Sequence, residues 1–299
     1  MATLQPAGAA PVVNHVVDVL AISLQLRIAI VGTIQQAITT LLTTYEPEFL
    51  RFGYSMFLSF ATILIVWQGI RMMLQQESLG DHMFHFAKLL LFISCGYTLI
   101  AFYESPIPGI GVSFSNLITD QAHVFANILD ARSLELVFDH LDVLWGQFVQ
   151  PDAWSILANL LYWLLLIVVT IAKVISLAIV AFGLIASAVC ALVGPIFVPF
   201  FIVPKLDWLF WSWFKAFVQY SFMPVIALAF LMIFERFIFQ YLTTLPAGIT
   251  EDLYLVYGVQ ALVIIGVFTV GILLIPSLTS SIFSGRGGES VLPGRIIYG

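Results

Sequence analysis

Apolar positions in this chain come in long blocks rather than in alternation, and the blocks predict membrane-crossing helices before any motif is considered. Phe52–Ile70 is uncharged and bounded by Arg51 and Arg71, close to the roughly 20 residues that carry a helix across a bilayer. Phe86–Tyr103 is slightly shorter and stops at Glu104, ahead of Pro106 and Pro108. Lys88 stands near one end of it, where a lysine reaches the headgroups along its aliphatic stem. Phe214–Phe234 and Tyr254–Ile275 are of similar length, the last closing before Pro276. Trp154–Val203 is apolar apart from Lys173 and, at about 50 residues, exceeds one ordinary span.

That long block can be two spans, or one long helix with a buried break at Gly194 and Pro195. The choice inverts everything downstream. With one crossing and an external N-terminus, Arg71, Lys88, Lys205, Lys215, Arg286 and Arg295 are cytoplasmic, while Arg27, Arg51, Arg132 and Arg236 are outside, as the positive-inside rule favours. With two, Lys205, Lys215, Arg286 and Arg295 move outside, and no Gly, Pro or Asn cluster near Lys173 supplies a turn. The expectation is an all-α integral membrane protein with five crossings. A helix from Trp154 to Val193 would measure roughly 60 Å, twice the hydrocarbon thickness, so it must tilt, protrude or kink.

Residues 114–148 read as amphipathic. Phe114, Leu117, Ile118, Phe125 and Ile128, then Leu134, Val137, Phe138, Leu141, Leu144, Trp145 and Phe148, recur at helical spacing and imply two helices joined near Asp130–Ser133. Asp120, Asp130, Glu135, Asp139 and Asp142 are expected on the solvent-facing side. Such a pair either rests on the membrane or its own bundle, or offers a platform to an extracytoplasmic partner. Val12–Leu42 repeats the pattern more weakly, with Asn14, Asp18, Gln25, Arg27, Gln35 and Gln36 interrupting it, which fits an interfacial helix. The expected divisions are an external region 1–51, two spans within 52–103, external amphipathic helices within 104–153, three spans within 154–275 and a cytoplasmic tail 276–299.

Composition strengthens the membrane reading: 61% of the residues are hydrophobic, 9% are charged, and mean hydropathy is +1.04. Soluble domains carry about 25% charged residues, and a chain this poor in charge could not clothe a globular surface. The net charge of -6 comes with no basic run, which argues against strong direct nucleic-acid binding by this chain alone. Cys95 and Cys190 lie in apolar blocks and read as buried small residues rather than a disulfide framework. The N-terminus lacks the basic and short apolar regions of a cleavable signal, so it is expected to be retained.

Chemistry is scarce. Asp81, His82 and His85 could share one helix face, but no further Cys or His completes a metal set nearby. No Ser/His/Asp grouping, phosphate-binding loop or dinucleotide fingerprint stands in a fitting context, so neither cofactor nor catalytic site is expected. Lys173 is a functional candidate because burying it in a bilayer costs about 2.5–3.5 kcal/mol. A secondary transporter would use it for coupling. With no carboxylate within a helical turn, a position near the membrane interface is the favoured reading.

Gly194–Phe230 is the most informative stretch. Pro195, Pro199, Pro204 and Pro224 interrupt it. Pro195 removes a backbone donor, so the helix should kink or end there, which a membrane tolerates only where protein covers the freed carbonyls. Trp208, Trp211 and Trp213, with Lys205 and Lys215, read as an interfacial anchor on the cytoplasmic side, within 204–215. Gly183, Ser187 and Ala191 recur every fourth residue, with Gly194 close to the same face, a stripe that lets helix backbones approach within a subunit or between subunits.

A small-residue helix ending in Gly-Pro, a proline-containing apolar segment, a Trp-rich turn, a span with a central proline and a last span closing in Pro-Ser-Leu resembles the TrbL/VirB-six family of bacterial type IV secretion. The resemblance is best over Trp154–Gly288, rests on Gly194, Pro195, Trp213, Pro224 and Pro276, and is closest to the compact VirB-six type. It implies an inner-membrane channel subunit with a periplasmic N-terminus and cytoplasmic C-terminus. It further implies a homo-oligomer, a pentamer, that supports the minor pilin, receives the major pilin and meets other inner-membrane subunits and the secretion ATPases. A ring of this kind tips the small-residue stripe toward contact between subunits.

Overall fold

In the computed structural model, residues 10–74, 79–119, 133–152, 154–246 and 248–283 are described. Seven named α-helices carry them: α1 (Ala10–Leu74), α2 (Leu79–Ala101), α3 (Ser133–Gly146), α4 (Ile156–Phe197), α5 (Asp207–Leu242), α6 (Val259–Leu273) and α7 (Ile275–Phe283). A 3-10 turn, Val198–Ile202, extends α4, and a π-turn, Tyr254–Gly258, leads into α6. Among the described residues the only strand-like pairing is one bridge between Phe148 and Ile249. Five helical stretches are long and apolar enough to cross a membrane: Gln36–Leu74, Gly80–Ala101, Ile156–Ile202, Asp207–Leu242 and Glu251–Phe283. This is an all-α integral membrane architecture. The expected joint near Asp130, Asp120 itself and the tail beyond Phe283 lie outside the described residues.

The chain divides into two units, 1–47 and 48–299. In the first, the N-terminal part of α1 is helical as its periodicity predicts, and Thr40 and Thr43 turn their hydroxyls back onto the carbonyls of Gln36 and Thr39, both at 2.9 Å. In the second, apolar packing gathers into two clusters. One joins α3, the first part of α4, the second part of α5 and α6 around Leu141, Leu165, Leu231 and Phe268. The other joins α1, the end of α2, the end of α4 and the start of α5 around Phe57, Tyr103, Trp213 and Phe217. Helices α4 and α5 belong to both.

Helix α4 runs unbroken past Lys173 for 42 residues, about 63 Å at 1.5 Å per residue, with no turn there to divide the block into two spans. Three expectations need correction. The helix does not break at Gly194 and Pro195 but passes through them to Phe197, and the chain turns only beyond Ile202. Pro276 does not end the last span: the helix interrupts at Leu274 and resumes as α7, with proline in the first turn, where a missing N–H costs nothing. Phe283, placed by sequence in the tail, rests on Phe222 of α5, ring centroids 5.9 Å apart. Finally, Cys95 is exposed and Cys190 half-buried.

Candidate functional site

Pro195 has no N–H, so the carbonyl of Ala191, four residues earlier in α4, lacks its intrahelical donor. Tyr103, just past the end of α2, supplies one: its hydroxyl donates to the Ala191 carbonyl at 2.6 Å, and its ring is fully buried. The adjacent Cys190 carbonyl accepts the indole N–H of Trp213 at 2.8 Å. Both donors reach the helix because residue 194 is glycine. A Cβ there would lie 1.8 Å from the Tyr103 hydroxyl and 2.6 Å from the Trp213 ring. Gly53 of α1 does the same on another side, since its Cβ would meet the Pro195 carbonyl oxygen at 2.2 Å. Trp213 is then sandwiched by Phe197 and Phe217, at centroid distances of 6.3 and 5.7 Å. Four helices thus converge on one Gly-Pro pair.

Trp213 is therefore no interfacial anchor. Of the three tryptophans only Trp208 and Trp211 are exposed. The small-residue stripe is also filled from within. A Cβ on Gly183 would press to 2.9 Å on the ring of Pro224, and Ser187 and Ala191 are buried in the same chain. At Gly183 the neighbour is α5 of the same chain, which favours packing within the subunit there.

At the other cluster, Val137, Phe138, Leu141 and Leu144 of α3 are buried against the bundle, as their spacing predicts. Of the acids on this helix, Glu135 and Asp139 are exposed as expected, whereas Asp142 is half-buried. The Asp142 carboxylate pairs with the Lys173 ammonium on α4, with the side chains only 22% and 13% exposed. His140 Nδ1 lies 3.5 Å from Glu235 Oε1 on α5. Lys173 thus has a carboxylate partner, brought to it by another helix.

Glu104 follows Tyr103, and its Oε1 is buried with no hydrogen-bond partner among the described residues. Burial pushes its carboxyl above the ordinary value. A carboxyl raised in the folded state favours folding while protonated, so its contribution is present at low pH and lost as pH rises from the ordinary value through the raised one. Glu104→Gln is expected to flatten the pH dependence of Tm above the ordinary glutamate value, and an unchanged profile would show the carboxyl to be solvated.

His82 is buried and His85 exposed, and among the described residues no three His, Cys, Asp or Glu side chains are grouped to hold a metal. What the two sites do is hold helices in register. Sequence reasoning missed Tyr103, Gly53 and Asp142. For Tyr103 the usable signal was a freed carbonyl in search of a donor.

A family model described as TrbL/VirB6 plasmid conjugal transfer protein matches residues 61–275. The match begins well before the stretch that carried the sequence resemblance, takes in α2 and α3, and ends one residue before Pro276. No curated protein matches the chain.

Proposed function

The chain belongs to the TrbL/VirB6 plasmid conjugal transfer family, and on that premise we propose that it is a channel subunit of the inner-membrane complex of a type IV secretion system. Membership makes it a component of conjugal transfer, and the five apolar helices make it a multi-pass membrane protein. The match over 61–275 is the observation that carries the reading. In the proposed role the subunit supports pilus assembly and the passage of DNA or protein, while separate ATPases supply the energy. Its partners are further copies of itself in a ring, a pentamer, together with minor and major pilins and other inner-membrane subunits.

The distribution of Lys and Arg supports a periplasmic N-terminus and a cytoplasmic C-terminus. In that frame α3 and its clamp lie on the periplasmic side. The secondary-transporter reading has lost its residue, because Lys173 is engaged in packing α3 onto α4.

The test is deletion of the gene from a conjugative donor. Transfer and pilus formation should be abolished and restored by the intact chain; undiminished transfer would refute the proposal. Reporter fusions at Asp130 and Arg295, both outside the described residues, check orientation: a periplasm-dependent phosphatase should be active only at Asp130.

A further inference from the structure

The first turns of α5 separate by face. Phe210, Trp213 and Phe217 point inward and are 3%, 5% and 0% exposed, whereas Trp208 and Trp211 are 58% and 52% exposed. Lys215 is exposed with them. Trp208, Trp211 and Lys215 stand at i, i+3 and i+7, which is one stripe of a helix. Trp211 is not a loose side chain: Phe201, Phe210 and Phe214 brace its ring edge-on at 6.3, 5.1 and 6.2 Å. Just before the stripe, Lys205 is exposed and has φ of 72°, the only positive φ outside glycine among the described residues. Glycine would hold that backbone with less strain, yet the turn presents a cation.

Depth and charge point to one occupant. The end of α4 runs opposite to α2, with Tyr103 meeting Ala191 and Gly96 lying beside Ile202, so the turn at Lys205 lies toward the Lys88 end of α2. Helical side chains lean toward the helix N-terminus, which carries the Lys215 ammonium back along the stripe toward that turn. Asp207 is the only acid from Ala153 to Phe234, so the patch has two lysines against one aspartate in a chain whose net charge is -6. Two exposed indoles, one of them braced, and two ammoniums at the end of an apolar bundle match the chemistry of a lipid headgroup: indoles settle at the boundary of acyl chain and headgroup, and ammoniums attract phosphate.

We propose that Lys205, Trp208, Trp211 and Lys215 form a binding surface for anionic phospholipid headgroups in the leaflet at this end of the bundle. Zwitterionic headgroups carry their own cation beside the phosphate, so the lysines supply the discrimination and the indoles the seat. The inference rests on the membrane fold and not on the role in secretion.

The purified full chain can be titrated in detergent with phosphatidylglycerol or with phosphatidylcholine of the same acyl chains, and bound lipid counted by native mass spectrometry. The intact protein should retain phosphatidylglycerol about tenfold more tightly. Lys205→Gln with Lys215→Gln should bring the two lipids to parity, and Trp208→Ala with Trp211→Ala should weaken both alike. Lys205→Gly separates charge from folding, because it relaxes the backbone while removing one cation: part of the preference should go while Tm holds or rises. Equal retention of the two lipids by the intact protein, or a preference that survives the double lysine substitution, overturns the proposal. So does displacement of phosphatidylglycerol by inorganic phosphate, which would mark a simple ion site. Tighter retention of an acidic peptide than of phosphatidylglycerol would assign the patch to a protein partner instead.

Discussion

Gly194→Ala is expected to destabilise the protein by about 3 kcal/mol, combining overpacking with an orphaned carbonyl. The added methyl would sit 1.8 Å from a hydroxyl that belongs to a fully buried ring, so no flexible chain end can swing aside. Tyr103 has to withdraw, and its 2.6 Å bond to Ala191 goes with it. Pro195 offers no replacement donor, and the carbonyl is left unpaired in apolar surroundings. Tyr103→Phe removes only the donor and should cost about 1–2 kcal/mol. Because both substitutions strike the same contact, the double variant should lose less than the sum of the two. Thermal unfolding in a mild detergent measures all three, and an unchanged Tm for Gly194→Ala would show that the junction relaxes freely.

The second large effect is expected at the clamp between α3 and α4. Asp142→Asn removes the negative charge facing the Lys173 ammonium, and Lys173→Met removes the positive charge facing the carboxylate, each at a cost of about 2–3 kcal/mol. The cost falls below that of a fully buried pair because both side chains retain some access to solvent. Lys173→Met combined with Asp142→Leu should recover most of the loss, since an apolar pair of similar volume needs no charge compensation. The same thermal assay closes the cycle once Asp142→Leu alone is measured as the matching single variant. Additive losses would mean that the two residues do not stabilise one another.

The spans were legible because a run of about 20 apolar residues has few other uses, and the buried face of α3 because its period is helical. The split among the tryptophans was also within reach. Trp208 and Trp211 are three apart, while Trp213 follows Trp211 by two and so turns to a different side of the helix. Other contacts were out of reach for a physical reason. Tyr103 and Ala191 are 88 residues apart, and Asp142 and Lys173 are 31 apart. Local spacing says which face a residue takes, not which helix comes alongside it. Pro195 announced a missing donor but not who would replace it. Pro276 misled because proline was read as a stop, although the first turn of a helix accepts it as readily as a loop does.

The ring of Pro224 facing Gly183 works as a key in a slot. A slide of α4 along α5 by one helical turn, about 5.4 Å, would bring Ile179 or Ser187 opposite the ring, where a side chain would fill the notch. The indole bond from Trp213 to Cys190 fixes the same register farther along the pair. With two pins at different heights, the pair resists axial shear, and any displacement imposed at the α3 end reaches the Gly-Pro junction as a rigid tilt.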